Sequence, residues 1–164
     1  AIAAKAKGAS VYISDVSAGK LEMAKDFGVD GTLLNDSPEN FEKRVNEITD
    51  GNGFDVTIEA VGLPSTFQNC IDAAAFGGKV VLIGVSKKNL DFFFTIIQKK
   101  ELNVFGSRNA LKKDFLELID LVKDGRVPLE KIITDTYKFD DAVKAFEDFD
   151  KNAGNMLKVV IDFT

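Results

Sequence analysis

Residues 54–85 read FDVTIEAVGLPSTFQNCIDAAAFGGKVVLIGV, and this stretch decides the architecture. Phe54–Ala60 is rich in β-branched and aromatic residues, which predicts a strand. Ser65–Ala75 has helical spacing, with Ser65 placed to cap it. Lys79–Val85 is almost entirely apolar, the pattern of a strand covered on both faces. Strand, helix, strand in this order predicts a parallel crossover unit.

The same alternation extends in both directions. Upstream, Val11–Ile13 reads as a short buried strand closed by Ser14-Asp15. Ser17–Phe27 reads as a helix with Leu21, Ala24 and Phe27 on one face, ended by Gly28. Gly31–Asn35 is a second strand. Pro38–Thr49 is a helix with Ser37 as N-cap, Phe41, Val45 and Ile48 inward and Gly51 as its stop. Downstream, the Phe-rich segment Leu90–Lys100 precedes a strand at Leu102–Ser107. Leu111–Lys123 is amphipathic, with Phe115, Leu118, Ile119 and Val122 expected inward. Gly125 and Pro128 break the chain. Ile132–Phe139 reads as a strand, Asp140–Phe149 as a helix capped by Asp140, and Met156–Phe163 as a final strand. The expected fold class is α/β: a Rossmann-type doubly wound parallel sheet with a C-terminal strand-helix-strand extension. The expected division is residues 1–130 and 131–164.

Composition narrows the function. The 164 residues carry a net charge of -5, which argues against nucleic-acid binding through bulk positive charge. No apolar run approaches the roughly 18 residues of a spanning helix, so no membrane role is expected. There is no His, which excludes His-dependent triads and His-ligated metals within the chain. The single Cys70 excludes an internal disulfide and fits a reducing cytoplasm. On a helix with Phe67, Ile71 and Ala74 it reads as a buried structural thiol. The acidic sets Glu39, Glu42, Glu47 and Asp114, Glu117, Asp120 read as solvated helix faces without converging His or Cys.

The chain opens AIAAKAKGAS, which reads as the last turns of a helix stopped at Gly8. We expect sequence upstream, including a first strand and the GxGxxG turn that cradles a dinucleotide pyrophosphate. Gly51-Asn52-Gly53 and Gly77-Gly78 precede strands and read as turns, not cradles. If that first strand belongs between them, Val11–Asp15 and Phe54–Ala60 do not hydrogen-bond to each other. They would then lie about twice the usual ~4.8 Å apart.

Three segments point to chemistry. Asp15 ends a strand where a dinucleotide fold places the acid that binds the adenosine ribose and repels a 2'-phosphate. Lys20, on the following helical turn, can reach the same ribose. The plainer reading makes Asp15 a turn former and Lys20 a solvated charge. Glu59-Ala60-Val61-Gly62 and Ile83-Gly84-Val85 each end a strand, where open α/β sheets bind ligands and small residues let a flat ring approach.

VYISDVSAGKLEMAKDFGVD, FDVTIEAVG, GGKVVLIGV, LNVFGSRNA and GNMLKVVIDF, in that order, resemble the zinc-dependent medium-chain dehydrogenases. The nearest likeness is to the sorbitol, threonine and polyol branch, in its coenzyme-binding half. The resemblance implies that NAD is bound with Asp15 and Lys20 at the adenosine ribose. Ala60, Val61 and Gly62 would line the groove. Val85 would pack on the nicotinamide, with Gly84 allowing close approach. The Asn103 carbonyl and Phe105 N–H would hold the carboxamide, and Lys158 would lie near the pyrophosphate. It implies an alcohol or polyol substrate, zinc held by the other half, and no catalytic or metal-ligating residue on this chain. It also implies a homo-oligomer paired through Phe92–Phe94 and Leu102–Ser107, since three consecutive Phe cannot all face one core. The alternatives are a non-catalytic nucleotide-binding or oligomerisation module, or a zinc-less quinone-reductase-like protein.

Overall fold

The computed structural model describes residues 1–164. The elements in order are α1 (Ile2–Ala6), β1 (Tyr12–Asp15), α2 (Ala18–Lys25), β2 (Gly31–Leu34), α3 (Pro38–Thr49), β3 (Phe54–Glu59) and α4 (Pro64–Ala73). They continue with β4 (Ala74–Leu82), α5 (Thr95–Lys99), β5 (Asn103–Gly106), α6 (Lys112–Lys123), β6 (Ile133–Lys138), α7 (Ala142–Asn152) and β7 (Lys158–Asp162). The fold is α/β and every strand pairing is parallel. The chain packs as two compact units, residues 36–110 and residues 1–35 together with 111–164.

The unit of residues 36–110 holds the three-stranded sheet β3-β4-β5. Thr57 and Glu59 alternate with Val56 and Ile58 along β3, and it is the polar pair that is buried. Thr57 satisfies its hydroxyl by donating to the Cys70 carbonyl at 3.0 Å. The core is Ile71, Ala74, Val80 and Leu102, with Phe67, Cys70, Leu82, Phe92, Ile96 and Ile97 packed against it. α3 keeps its expected bounds and cap: Ser37 accepts the Asn40 N–H at 3.1 Å. Asp50, at φ 50°, and Gly51, at φ 76°, close it in left-handed geometry. α4 starts one residue before the expected cap. Pro64, not Ser65, opens it, because proline presets the helical φ and has no N–H to satisfy.

α4 then passes into β4 with no intervening turn, so β4 begins at Ala74 and not at Lys79. Gly77-Gly78 lies within this strand, where the pairing with β3 jumps from Phe54↔Ala74 to Val56↔Lys79. The Lys100 ammonium covers the junction. It donates to the carbonyls of Ile71 (3.1 Å), Asp72 (2.7 Å) and Ala74 (2.7 Å), supplying the donors that a glycine stop would otherwise bring.

The other unit contains the two-stranded sheets β1-β2 and β6-β7. Leu21 and Ala24 of α2 and Leu33 of β2 are buried. Gly8, at φ 86°, follows α1 as the expected stop. Two expectations are corrected. On α6 the buried residue is Leu121, while Phe115, Leu118 and Ile119 are exposed. Periodicity assigns residues to a common face, but only a packed partner buries that face. Asp140 does not cap α7: a 3-10 turn at Phe139–Asp141 takes up the acidic pair, and the helix begins at Ala142.

Candidate functional site

The carboxyl ends of β3 and β4 form one interlocked surface. Glu59, the last residue of β3, is only 4% exposed. Its Oε1 accepts the N–H groups of Val61 (2.9 Å) and Gly62 (2.8 Å) and lies 2.6 Å from the Thr66 hydroxyl. Thr66 also lies 2.9 Å from the Leu63 carbonyl. A hydroxyl has one proton, and the shorter, charge-assisted contact takes it. Burial pushes the Glu59 pKa up. The Thr66 hydroxyl and the N–H groups of Gly62, Val61 and Leu63 outweigh that and hold it below its ordinary value.

Two glycines make the close packing possible. Gly62 has φ 84°, and a Cβ there would lie 2.6 Å from the Val85 carbonyl oxygen. A Cβ on Gly84 would fall inside contact distance of Glu59 Oε2 and the Gly62 nitrogen, and 2.8 Å from the Val61 nitrogen. The Ala60–Gly62 and Ile83–Val85 turns therefore meet backbone to backbone. The Val61 and Val85 side chains point away from this contact and are each 64% exposed. The structure thus brings Ala60, Val61, Gly62, Gly84 and Val85 together.

It does not leave Asn103 and Phe105 free. Both lie in register with β4, Asn103 opposite Lys79 and Phe105 opposite Val81. The Ser107 N–H donates to the Leu82 carbonyl at 2.8 Å. Polar backbone groups two residues apart on a strand point the same way, so those of Phe105 and Asn103 turn into the β4 ladder as well. The main-chain groups expected to hold a carboxamide thus lie along the β4 side of β5.

At the end of β1, Asp15 is half-buried and its Oδ1 accepts the Ser17 N–H at 2.8 Å. The Ser17 hydroxyl in turn accepts the Lys20 N–H at 3.3 Å as the cap of α2. These two bonds fix the turn and set Asp15 and Lys20 around one helix N-terminus. Gly19 belongs to the same surface: a Cβ there would lie 3.3 Å from Asn155 Oδ1 and 3.8 Å from the Gly154 carbonyl. Lys158 is exposed on β7 opposite Ile133. Thr66, the anchoring role of Glu59 and the Gly19–Asn155 approach escaped the sequence reading. The available signal for Glu59 was a carboxylate set between Ile58 and the apolar pair Ala60-Val61 at a strand end.

No group of three or more His, Cys, Asp or Glu residues is placed to hold a metal ion. The residues present therefore do not fit a zinc site. Within residues 36–110 the glycine-built turns leave backbone that a flat ring can approach, and in the other unit Asp15 is an acid at a strand end. No helix is long and apolar enough to cross a membrane.

Parallel strands alternating with helices define an α/β fold of the Rossmann type. Residues 1–124 match the family described as zinc-binding dehydrogenase, and the chain belongs to that family, among the medium-chain alcohol and polyol dehydrogenases. It is 38% identical over 149 residues to an L-threonine 3-dehydrogenase of Pyrococcus abyssi, covering 88% of this chain and 42% of that protein. It is 29% identical over 164 residues to sorbitol dehydrogenase 1 of Saccharomyces cerevisiae, covering 96% and 46%. An Escherichia coli CFT073 alcohol dehydrogenase, solved with the cofactor NADH, superposes with a TM-score of 0.86 at 27% identity, over 99% of this chain and 48% of that one. The chain spans about half the length of the curated relatives it matches, 46% in the case of sorbitol dehydrogenase 1.

Proposed function

We propose that this chain is the coenzyme-binding portion of an NAD-dependent oxidoreductase that moves hydride between a secondary alcohol or polyol carbon and nicotinamide. Residues 1–130 serve as the coenzyme-binding domain and 131–164 return the chain to a catalytic domain. Zinc belongs to residues outside this chain. The observation that carries the reading is the backbone-to-backbone packing of the 60–62 and 83–85 turns, with Val61 and Val85 displayed on it. NAD, when bound, supplies the ring carbon that accepts the hydride.

The chain's own residues bind and orient. Asp15 accepts the adenosine ribose hydroxyls and repels a 2'-phosphate, with Lys20 assisting. Ala60, Val61 and Gly62 line the groove. Val85 packs against the nicotinamide face, and Gly84 leaves room for it. Lys158 offers a point charge toward the pyrophosphate. Holding the ring in one orientation is what brings the reacting carbons to near contact. The relatives named for sorbitol and threonine support a small hydroxylated substrate.

We also propose that two copies associate through Phe93, Phe94 and β5. Phe93 and Phe94 are 74% and 66% exposed, and Phe105 is 47% exposed on the outer strand β5. Phe92 turns inward instead, meeting Phe67 edge to face at 5.0 Å. With its lone thiol Cys70, the protein suits a reducing compartment, and we place it in the cytoplasm.

The test is coenzyme binding by the intact gene product, followed by NADH and NADPH fluorescence. NADH is expected to bind the tighter, and Asp15→Ser to narrow the difference by about tenfold, the worth of a charge-assisted hydrogen bond. Binding of neither coenzyme, or a preference for NADPH that Asp15→Ser leaves unchanged, refutes the reading. Light scattering of a Phe93→Ser/Phe94→Ser double variant is expected to show a smaller particle than wild type. An unchanged mass refutes the interface.

A further inference from the structure

Glu59 is an expensive residue to place at a nearly buried strand end. A leucine would fill the same space without desolvating a charge. What the carboxylate adds is acceptors. Its Oε1 holds the N–H groups of Val61 and Gly62, and the Thr66 hydroxyl closes on the same atom. The main-chain carbonyl of Glu59 accepts the N–H groups of Ile83 (2.8 Å) and Gly84 (3.0 Å). One residue therefore holds four backbone N–H groups, two in each of the turns at the ends of β3 and β4. Its Oε2 lies against Gly84 so closely that no side chain fits between them.

We propose that Glu59 is a positioning residue that locks the 60–62 turn to the 83–85 turn and so sets the surface on which the nicotinamide end of the coenzyme rests. This rests on the coenzyme reading above. The physical reason is geometric. Gly62 at φ 84° has its N–H aimed at the carboxylate, and its Cα packs on the Val85 backbone. Weakening that bond frees Gly62 to relax, and Val85 loses the wall behind it. The adenosine end of the coenzyme is the business of Asp15 and Lys20, which Glu59 does not touch.

The intact gene product is compared as wild type, Glu59→Gln and Thr66→Val, each first checked for native circular dichroism. Affinity is measured for NADH and for ADP-ribose, which carries every part of the coenzyme except the nicotinamide. Glu59→Gln keeps the shape and removes the charge. It is expected to weaken NADH about tenfold while ADP-ribose stays within about twofold, as loss of a charged hydrogen-bond acceptor implies. Thr66→Val, which removes one donor to the same oxygen, is expected to shift NADH in the same direction by about threefold. Equal weakening of both ligands, or no weakening of NADH, overturns the proposal. Amide hydrogen exchange on the unliganded proteins gives a second reading independent of any ligand. Val61, Gly62, Ile83 and Gly84 are expected to exchange faster together in Glu59→Gln. Faster exchange at Val61 and Gly62 alone overturns the coupling. Wild type binding neither NADH nor ADP-ribose refutes the coenzyme reading, while the exchange pattern still decides the role of Glu59.

Discussion

Replacing Lys100 by methionine removes a charge that closes a helix. The methionine retains an apolar stem of similar length, so packing against the core changes little. Three carbonyls, those of Ile71, Asp72 and Ala74, lose the donor that sits 3.1, 2.7 and 2.7 Å away. Ile71 and Ala74 are buried at 0% and 2% exposure, so water does not readily replace the ammonium there. Asp72 is exposed and can rehydrate. A hydrogen bond to a charged group is worth about 1.5–3 kcal/mol, which for the two buried carbonyls sums to about 3–6 kcal/mol. Against this stands the cost of desolvating the ammonium, the same burial that pulls the Lys100 pKa down while Asp72 opposes it. The expected net loss is about 2–3 kcal/mol, or about 5–10 °C in melting temperature for a chain of this length. The assay is urea unfolding followed by circular dichroism. Lys99→Met, one residue away and exposed, serves as the control and is expected to change stability by less than about 0.5 kcal/mol. A Lys100→Met protein as stable as that control refutes the view that this side chain closes α4.

Two glycines with similar backbone angles are expected to respond differently to alanine. Gly62→Ala meets the Val85 backbone and should cost well over the ~1–2 kcal/mol of left-handed geometry. Gly51→Ala, at φ 76° with open space around it, should cost only that, and comparable thermal melts for the two variants would refute the packing argument. The Cys70 thiol is pushed up to about 11 by burial first and by the nearby Glu59 charge second. Iodoacetamide labelling at pH 8 should therefore be slow and rise only toward pH 11; fast labelling at pH 8 contradicts this. Asp162 is held down at about 2 by Lys138 first and then by the Thr164 hydroxyl and N–H. A carboxylate with a lowered folded pKa contributes stability that is full above its ordinary value of 3.8 and lost as pH falls through about 2. Asp162→Asn should flatten the stability profile across that window in urea titrations, and an unchanged acid limb refutes it.

Most of the element order was legible before the fold. α3 could be placed with both bounds because it carries every local signal at once: a serine cap, a proline in the first turn, a helical apolar stripe and a left-handed stop. The start of β4 was not legible. The run Ala73-Ala74-Ala75 suits a helix, and only the Lys100 ammonium, arriving from 26 residues downstream of Ala74, lets the helix end there without a glycine. The exposed stripe on α6 was misread for a related reason, since Phe115 and Ile119 share a face that nothing within the chain buries.

At the candidate site, residue types and positions after strands marked Asp15, Val61, Gly62, Gly84 and Val85, because a parallel sheet puts its ligands at the carboxyl ends of its strands. Whether a given backbone group is free for a ligand is a different matter. It depends on strand register, which sets the backbone of Asn103 and Phe105 against β4. The role of Glu59 likewise needed the fold, because its partners are turns that follow two different strands. Local pattern determined which segments become strands and helices, since periodicity and caps act over a few neighbouring residues. Burial of a carboxylate, pairing of a carbonyl and approach of one backbone to another depend on residues far apart in the chain, and only the tertiary structure decided them.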